Sequence, residues 1–126
     1  MSPARYSETP RRAAYRRGAR AELLCLWQLR LKGYRILARR YRTPVGEVDL
    51  IVRRGSVLAA VEVKARDDFA TAGEAIGARQ RQRIARALTY FMSARPDLAT
   101  LSPRFDVMLV APRRLPRHLV DAWREE

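Results

Sequence analysis

Residues 46–66 read GEVDLIVRRGSVLAAVEVKAR. Two runs rich in Val, Leu, Ile and Ala flank an Arg-Gly pair, the pattern of two strands joined by a tight turn. Side chains alternate between faces along a strand. A turn at Arg54-Gly55 pairs Arg53 with Ser56, which sets Glu47 opposite Glu62, Val45 opposite Lys64, and Asp49 opposite Ala60 and diagonal to Glu62. In that register Glu47, Asp49, Glu62 and Lys64 share one face at one end of the hairpin. The same face continues as Ile51, Leu58 and Ala60, and the other carries Val48, Leu50, Val57, Val61 and Val63. A solvated sheet face would be polar along its whole length, whereas here the charges sit at the end of an apolar one. Opposed, partly buried carboxylates repel. Lys64 offsets one of them, and a hard divalent cation such as Mg²⁺ offsets the rest, because carboxylate oxygens are its natural ligands. The plain alternative is a salt-bridged sheet end.

Upstream, residues 12–32 have helical periodicity, with Leu23, Leu26, Trp27 and Leu31 at spacings of three and four and Gly33 as the stop. Glu22 lies in line with Ala19, Leu26 and Leu29 on that helix, so it points toward the sheet or pairs with a neighbouring Arg. YRILARRYR (34–42) reads as a strand, and Thr43, Pro44 and Gly46 mark a turn. Downstream, a loop leads into a second helix over 74–94, with Ile76, Ile84, Leu88, Phe91 and Met92 as its buried stripe and Gln80 on its inner side. RFDVMLVAP (104–112) is a strand buried on both faces, with Asp106 in a structural role. The closing RHLVDAW fits a short strand or a helical turn equally. The expected architecture is an α/β fold, a mixed sheet flanked by helices in the order α-β-β-β-α-β. Residues 1–11 form a loose basic segment and 12–126 a single domain.

The chain of 126 residues is 48% hydrophobic, enough for one core and short of two. No run reaches the ~20 apolar residues of a bilayer span, and the first residues lack the apolar stretch of a secretory signal. Cys25 is the lone cysteine, which excludes an internal disulfide and a Cys-based zinc site and fits a reducing, cytoplasmic setting. The net charge of +13 favours a polyanionic partner, above all nucleic acid. Arg16, Arg17 and Arg20 on the first helix and Arg79, Arg83 and Arg86 on the second are the candidate phosphate contacts. Of 26 basic residues only Lys32 and Lys64 are lysine. A compact ammonium inside Glu-x-Lys is therefore a pointed choice.

These blocks carry a resemblance. GARAE, GEVDLI, VEVKAR and RFDVMLV, in that order over residues 12–123, resemble the small bacterial YraN-like family. GEVDLI followed by VEVK is also similar to the core of the restriction-endonuclease-like PD-(D/E)xK superfamily, which includes the archaeal Holliday junction resolvases. The resemblance implies a restriction-endonuclease-like mixed sheet. It implies Asp49 and Glu62 as ligands of Mg²⁺ or Mn²⁺, with Glu47 as an extra acid beside them. Lys64 would stand beside an attacking water, and Glu22 would match a helix glutamate used as an outer ligand. Gln80 matches the polar position of the following helix only loosely. One departure is Pro44, five residues before Asp49 where the superfamily often places Pro directly ahead of its Asp. The implied activity is metal-dependent phosphodiester hydrolysis on structured DNA. Its competitors are a non-catalytic nucleic-acid-binding module that keeps the fold, and an Arg-rich ribosome-associated or partner-binding protein. A resolvase would act as a homodimer, and apolar Trp123 is the one residue that hints at such a contact.

Overall fold

The computed structural model describes residues 10–67, 69 and 76–125, with side chains from residue 18 onward. Helix α1 (Pro10–Leu31) leads into three strands, β1 (Arg35–Thr43), β2 (Gly46–Arg54) and β3 (Val57–Ala65). Helix α2 (Ala78–Ser93) and a 3₁₀ turn (Pro96–Leu98) connect to β4 (Ser102–Val110), and β5 (Arg117–Trp123) closes the chain. The five strands form one sheet in sequence order. β3 and β4 run parallel and the other neighbours antiparallel. A parallel pair needs a long crossover, and α2 supplies it. The closing segment is therefore a strand, which settles the alternative left open by sequence and adds a fifth strand to the expected order. The expected helix boundaries shift too. α1 starts at Pro10, inside the segment taken as loose, and α2 starts at Ala78 rather than residue 74, which lies outside the described residues.

The core has two layers, one on each face of the sheet. On one face Ala21, Cys25, Leu26 and Leu29 of α1 meet Leu50, Val52, Ala59, Val61, Met108 and Val110. On the other, Ile84, Ala87, Leu88 and Phe91 of α2 meet Ile51, Leu58, Ala60, Phe105, Val107 and Leu109. Central strands covered on both faces have no solvent side, which explains the near-continuous apolar runs of β3 and β4. The stripe expected on the first helix is only partly buried: Leu26 is inside, while Leu23, Trp27 and Leu31 are exposed. The chain offers two apolar stripes at helical spacing, and the one containing Cys25 and Leu29 faces the sheet. Trp123 is no surface anchor either, because its indole stacks on Phe105 at 5.2 Å within the α2-side layer.

Two backbone features position the site. Gly46 lies against α2 so closely that a Cβ there would sit 1.9 Å from the Arg83 carbonyl oxygen. The start of β2 is thereby pinned to the helix. Arg40, in the middle of β1, has φ of 47°, a left-handed conformation that non-glycine residues seldom adopt.

Candidate functional site

The hairpin register differs from expectation. Arg54 pairs with Val57 and Leu50 with Val61, so the turn is Gly55-Ser56, with Gly55 at φ 59°. A left-handed turn residue is best placed at Gly, and Gly55 takes the first rather than the second loop position. The pairing moves by two residues. A shift of two preserves which face each residue occupies, where a shift of one would have inverted it. Extended toward the strand ends, the observed register brings Asp49 opposite Glu62 and Glu47 opposite Lys64.

The regular ladder stops at Leu50 and Val61. Beyond it Asp49 Oδ2 accepts the Val63 backbone N–H at 2.7 Å, so a carboxylate replaces the next ladder bond. Val48 and Ile51 both pack in the α2-side layer, so strict alternation is interrupted across Asp49. The four charged residues are consequently not a flat patch on one face. Asp49 stands at a fork that is reached from both sides of the sheet.

Glu62 is buried. Its carboxyl meets Asp49, and its Oε2 accepts Gln80 Nε2 at 2.5 Å. Gln80 Oε1 in turn accepts from Lys64 Nζ at 3.3 Å. Burial, then the hydrogen bond and the negative charge of Asp49, push the Glu62 carboxyl up to about 9, while Lys64 and Gln80 pull the other way. The chain thus brings together Asp49, Glu62, Lys64 and Gln80 from β2, β3 and α2. These residues, with Arg40, Arg42, Arg79 and Arg83, line an open cleft of about 890 Å³. A smaller groove of about 260 Å³ on the α1 side shares Arg40, Arg42, Asp49 and Val63 with it and extends to Glu22 and Gly18.

Glu47 lines the same cleft, whereas Glu22 lies on the other side, at the smaller groove. Glu47 is well exposed, with its carboxylate 4.0 Å from Arg83. Glu22 is buried, and its two oxygens accept from Arg39 Nε at 3.3 Å and Arg40 Nε at 3.0 Å. It has the Arg partners that the structural reading expected, in a position bordering the smaller groove. Cys25 beneath it is inert, because burial, then the charges of Asp49 and Glu22, push its thiol up to about 12. Arg79 and Arg83 line the cleft; Arg86 and Arg20 are exposed outside both grooves. The side chains of Arg16 and Arg17 lie outside the described residues. Among the described residues no three His, Cys, Asp or Glu side chains gather closely enough to hold a metal ion. Among the described residues the acids in contact at the cleft are Asp49 and Glu62.

Sequence reasoning missed Arg40 and Arg42. Their signal was available: β1 is the antiparallel neighbour of β2, and its register places Arg42 against Glu47. Asp106 has the structural setting expected of it, with an Arg partner. That carboxylate is fully buried and accepts from Arg104 through both oxygens at 2.8 Å, from the Asp121 amide at 2.9 Å, and shares a 2.8 Å bond with His118 Nε2. Burial pushes its pKa upward, yet the bonds from His118, Arg104 and Asp121 together outweigh that and leave it lowered. Lys32 Nζ lies 3.0 Å from His118 Nδ1, so the network ties α1 to β4 and β5. Its role is structural, as expected for Asp106.

A mixed five-stranded sheet between two helices, opened at one end by a forked hairpin and floored there by a buried glutamate, a half-buried aspartate and a lysine, defines a small α/β protein with a basic cleft. The chain belongs to the uncharacterised protein family UPF0102, the YraN-like family, whose model matches residues 21–110. It is 52% identical to a UPF0102 protein of Parvibaculum lavamentivorans over 98% of this chain and 99% of that one. A UPF0102 protein of Bradyrhizobium sp. strain ORS 278 is 50% identical over 96% of this chain and 86% of its own length. One of Agrobacterium fabrum is 50% identical over 90% and 93%.

Proposed function

We propose that the cleft binds the phosphate backbone of nucleic acid, DNA above all, and hydrolyses a phosphodiester with the help of a divalent cation. The observation that carries this is the contact of two carboxylates, Asp49 and Glu62, beside Lys64 on the floor of a cleft walled by arginines. A buried carboxylate in contact with a second, half-buried one is costly. In the cation-free protein it is relieved by a proton on Glu62; Mg²⁺ or Mn²⁺ would replace that proton, so the donor set fits a hard cation. When bound, such an ion supplies charge neutralisation at the phosphate and a more acidic water. The chain's own residues do the rest. Asp49, fixed by the Val63 amide, and Glu62, fixed by Gln80, hold their oxygens on the cleft floor. Lys64 places a compact positive charge beside them. Arg42, Arg79 and Arg83 hold the flanking phosphates. A water oxygen attacks phosphorus and the bond to one ester oxygen breaks; the water proton ends on that oxygen or in solvent, leaving an alcohol and a phosphate monoester. Such a protein is cytoplasmic.

A second reading has its own observation. Glu47 points at Arg83 and leaves, among the described residues, two acids in contact, which suits a nucleic-acid-binding module that keeps a nuclease-like fold without cutting. A cleavage screen decides between the readings. Duplex, single-strand, flap and four-way junction DNA are incubated with Mg²⁺ or Mn²⁺ and with wild type or Asp49→Ala. Cleavage of at least one substrate, lost in the variant, is expected. If wild type cuts nothing, or the variant cuts equally well, the binding-module reading takes its place.

A further inference from the structure

We propose that Arg40 is a phosphate-contacting residue of the cleft and that Glu22 is its positioning residue. The proposal rests on the reading of the cleft as a nucleic-acid site and goes beyond it. It assigns one contact to a residue outside the Asp49–Glu62–Lys64 set, and it gives Glu22 a role other than that of a metal ligand.

Three independent features converge on Arg40. The first is its backbone. At φ of 47° it occupies a left-handed conformation that a side-chain-bearing residue adopts only at an energetic cost. Such strain persists only where the surroundings hold it, and it turns the side chain out of the alternation that β1 would otherwise follow. The second is its place. In the β1–β2 ladder Arg39 pairs with Leu50 and Tyr41 with Val48, so Arg40 falls at the same step as Asp49. Its side chain borders both the cleft and the smaller groove, which meet at Asp49. An Arg at that junction lies beside the strand pair's acid on whichever side a phosphate enters. The third is its tether. Glu22 is buried, its side chain 8% exposed, while that of Arg40 is 42% exposed. A buried carboxylate fixed between two arginines anchors the guanidinium at Nε and narrows its range while the side chain remains open to solvent. Guanidinium suits phosphate because its planar fork matches two oxygens. Glu22 also explains its own burial in this way: its charge is met by Arg39 and Arg40, and no cation is required to balance it.

The test is the affinity of the full-length protein for a short fluorescein-labelled DNA duplex, followed by anisotropy across a salt series, with thermal melts of every variant. Arg40→Gly should weaken binding about tenfold and make the salt dependence shallower by about 0.9 in log–log slope, the worth of one phosphate contact. Its melting temperature should change little, since the relief of the positive φ offsets the loss of one of the two arginines on buried Glu22. Arg40→Lys should restore the slope. Glu22→Gln should weaken binding about two- to fivefold, as expected for a half-exposed ion pair. In the Arg40→Gly background the same change should weaken binding clearly less, because the positioning effect of Glu22 runs through Arg40 and only its bond to Arg39 is left. If Arg40→Gly binds as wild type does, or if Glu22→Gln has the same effect with and without Arg40, the proposal is overturned while the cleft reading stands. If wild type does not bind the duplex, the cleft reading falls and takes the proposal with it.

Discussion

Glu62 is the residue on which the two readings of the hairpin meet. Without a cation, the folded protein keeps a proton on it up to about pH 9, whereas the unfolded chain releases that proton near the ordinary carboxylate range. Between those limits the folded state holds the extra proton. Stability contributed by this group is therefore full at acid pH and is lost as pH rises toward 9. The loss is on the order of 2 kcal/mol between pH 7 and pH 9. Glu62→Gln should flatten that slope and melt higher than wild type at pH 8.5, both measured without divalent metal. A wild-type slope that survives in the variant would place the titration elsewhere. Lys64 tests the site differently. Were it only a counter-charge to Glu62, Lys64→Arg would change little. Beside a reacting phosphate the broader guanidinium misplaces the charge, so cleavage should fall about 10²–10³-fold while duplex affinity stays near wild type. Cleavage at the wild-type rate in that variant would reduce Lys64 to a structural cation.

At the scale of elements, the hairpin and helix α2 make the cleft by the way they are fastened. Gly46 lets β2 start against the Arg83 carbonyl. In Gly46→Ala a Cβ would collide with backbone rather than with a movable side-chain end, so α2 must shift. The expected result is a loss of about 1–3 kcal/mol together with weaker duplex binding, because Arg79 and Arg83 move with the helix. A variant as stable as wild type would show that the contact yields cheaply. The same elements show how far sequence reaches. Strand identity, the pairing of Asp49 with the Glu62–Lys64 strand and the covering helices were legible, because hydrophobic alternation and continuous apolar runs follow directly from which faces are covered. The register was missed by two residues, since Arg54-Gly55 and Gly55-Ser56 both suit a turn; the expected Glu47–Glu62 opposition gave way to Asp49–Glu62, and Asp49 stayed a neighbour of Glu62 because two is the period of a strand. The positive φ of Arg40 and the break in alternation at Asp49 were not legible. The break at Asp49 accompanies side-chain capture of the Val63 amide, and the φ of Arg40 is a backbone feature; no single-strand pattern encodes either. On α1 the line of Glu22, Leu26 and Leu29 was legible as the side toward the sheet, whereas Leu23, Trp27 and Leu31 fit the same helical spacing and lie exposed.

For the whole molecule the question is whether +13 acts as a diffuse cloud or through the cleft. No described helix is long and apolar enough to cross a membrane, and the charge is written almost entirely as arginine over both helices and β1. A diffuse cloud would make any two arginines equivalent. The fold makes them inequivalent: Arg79 and Arg83 line the cleft with Arg40 and Arg42, while Arg20 and Arg86 stand outside it. Clefts of one sign concentrate the field where low-dielectric walls surround them. Removing Arg79 and Arg83 together should therefore lower the log–log salt slope for duplex binding by about 1.8, two phosphates at about 0.9 each. Removing Arg20 and Arg86 deletes the same charge and should change the slope by well under half as much. Anisotropy titrations of the two double variants, from low to physiological salt, compare them directly. Equal slopes would mean that net charge alone binds the nucleic acid and that the arginines around Asp49 and Glu62 have no privileged place in it.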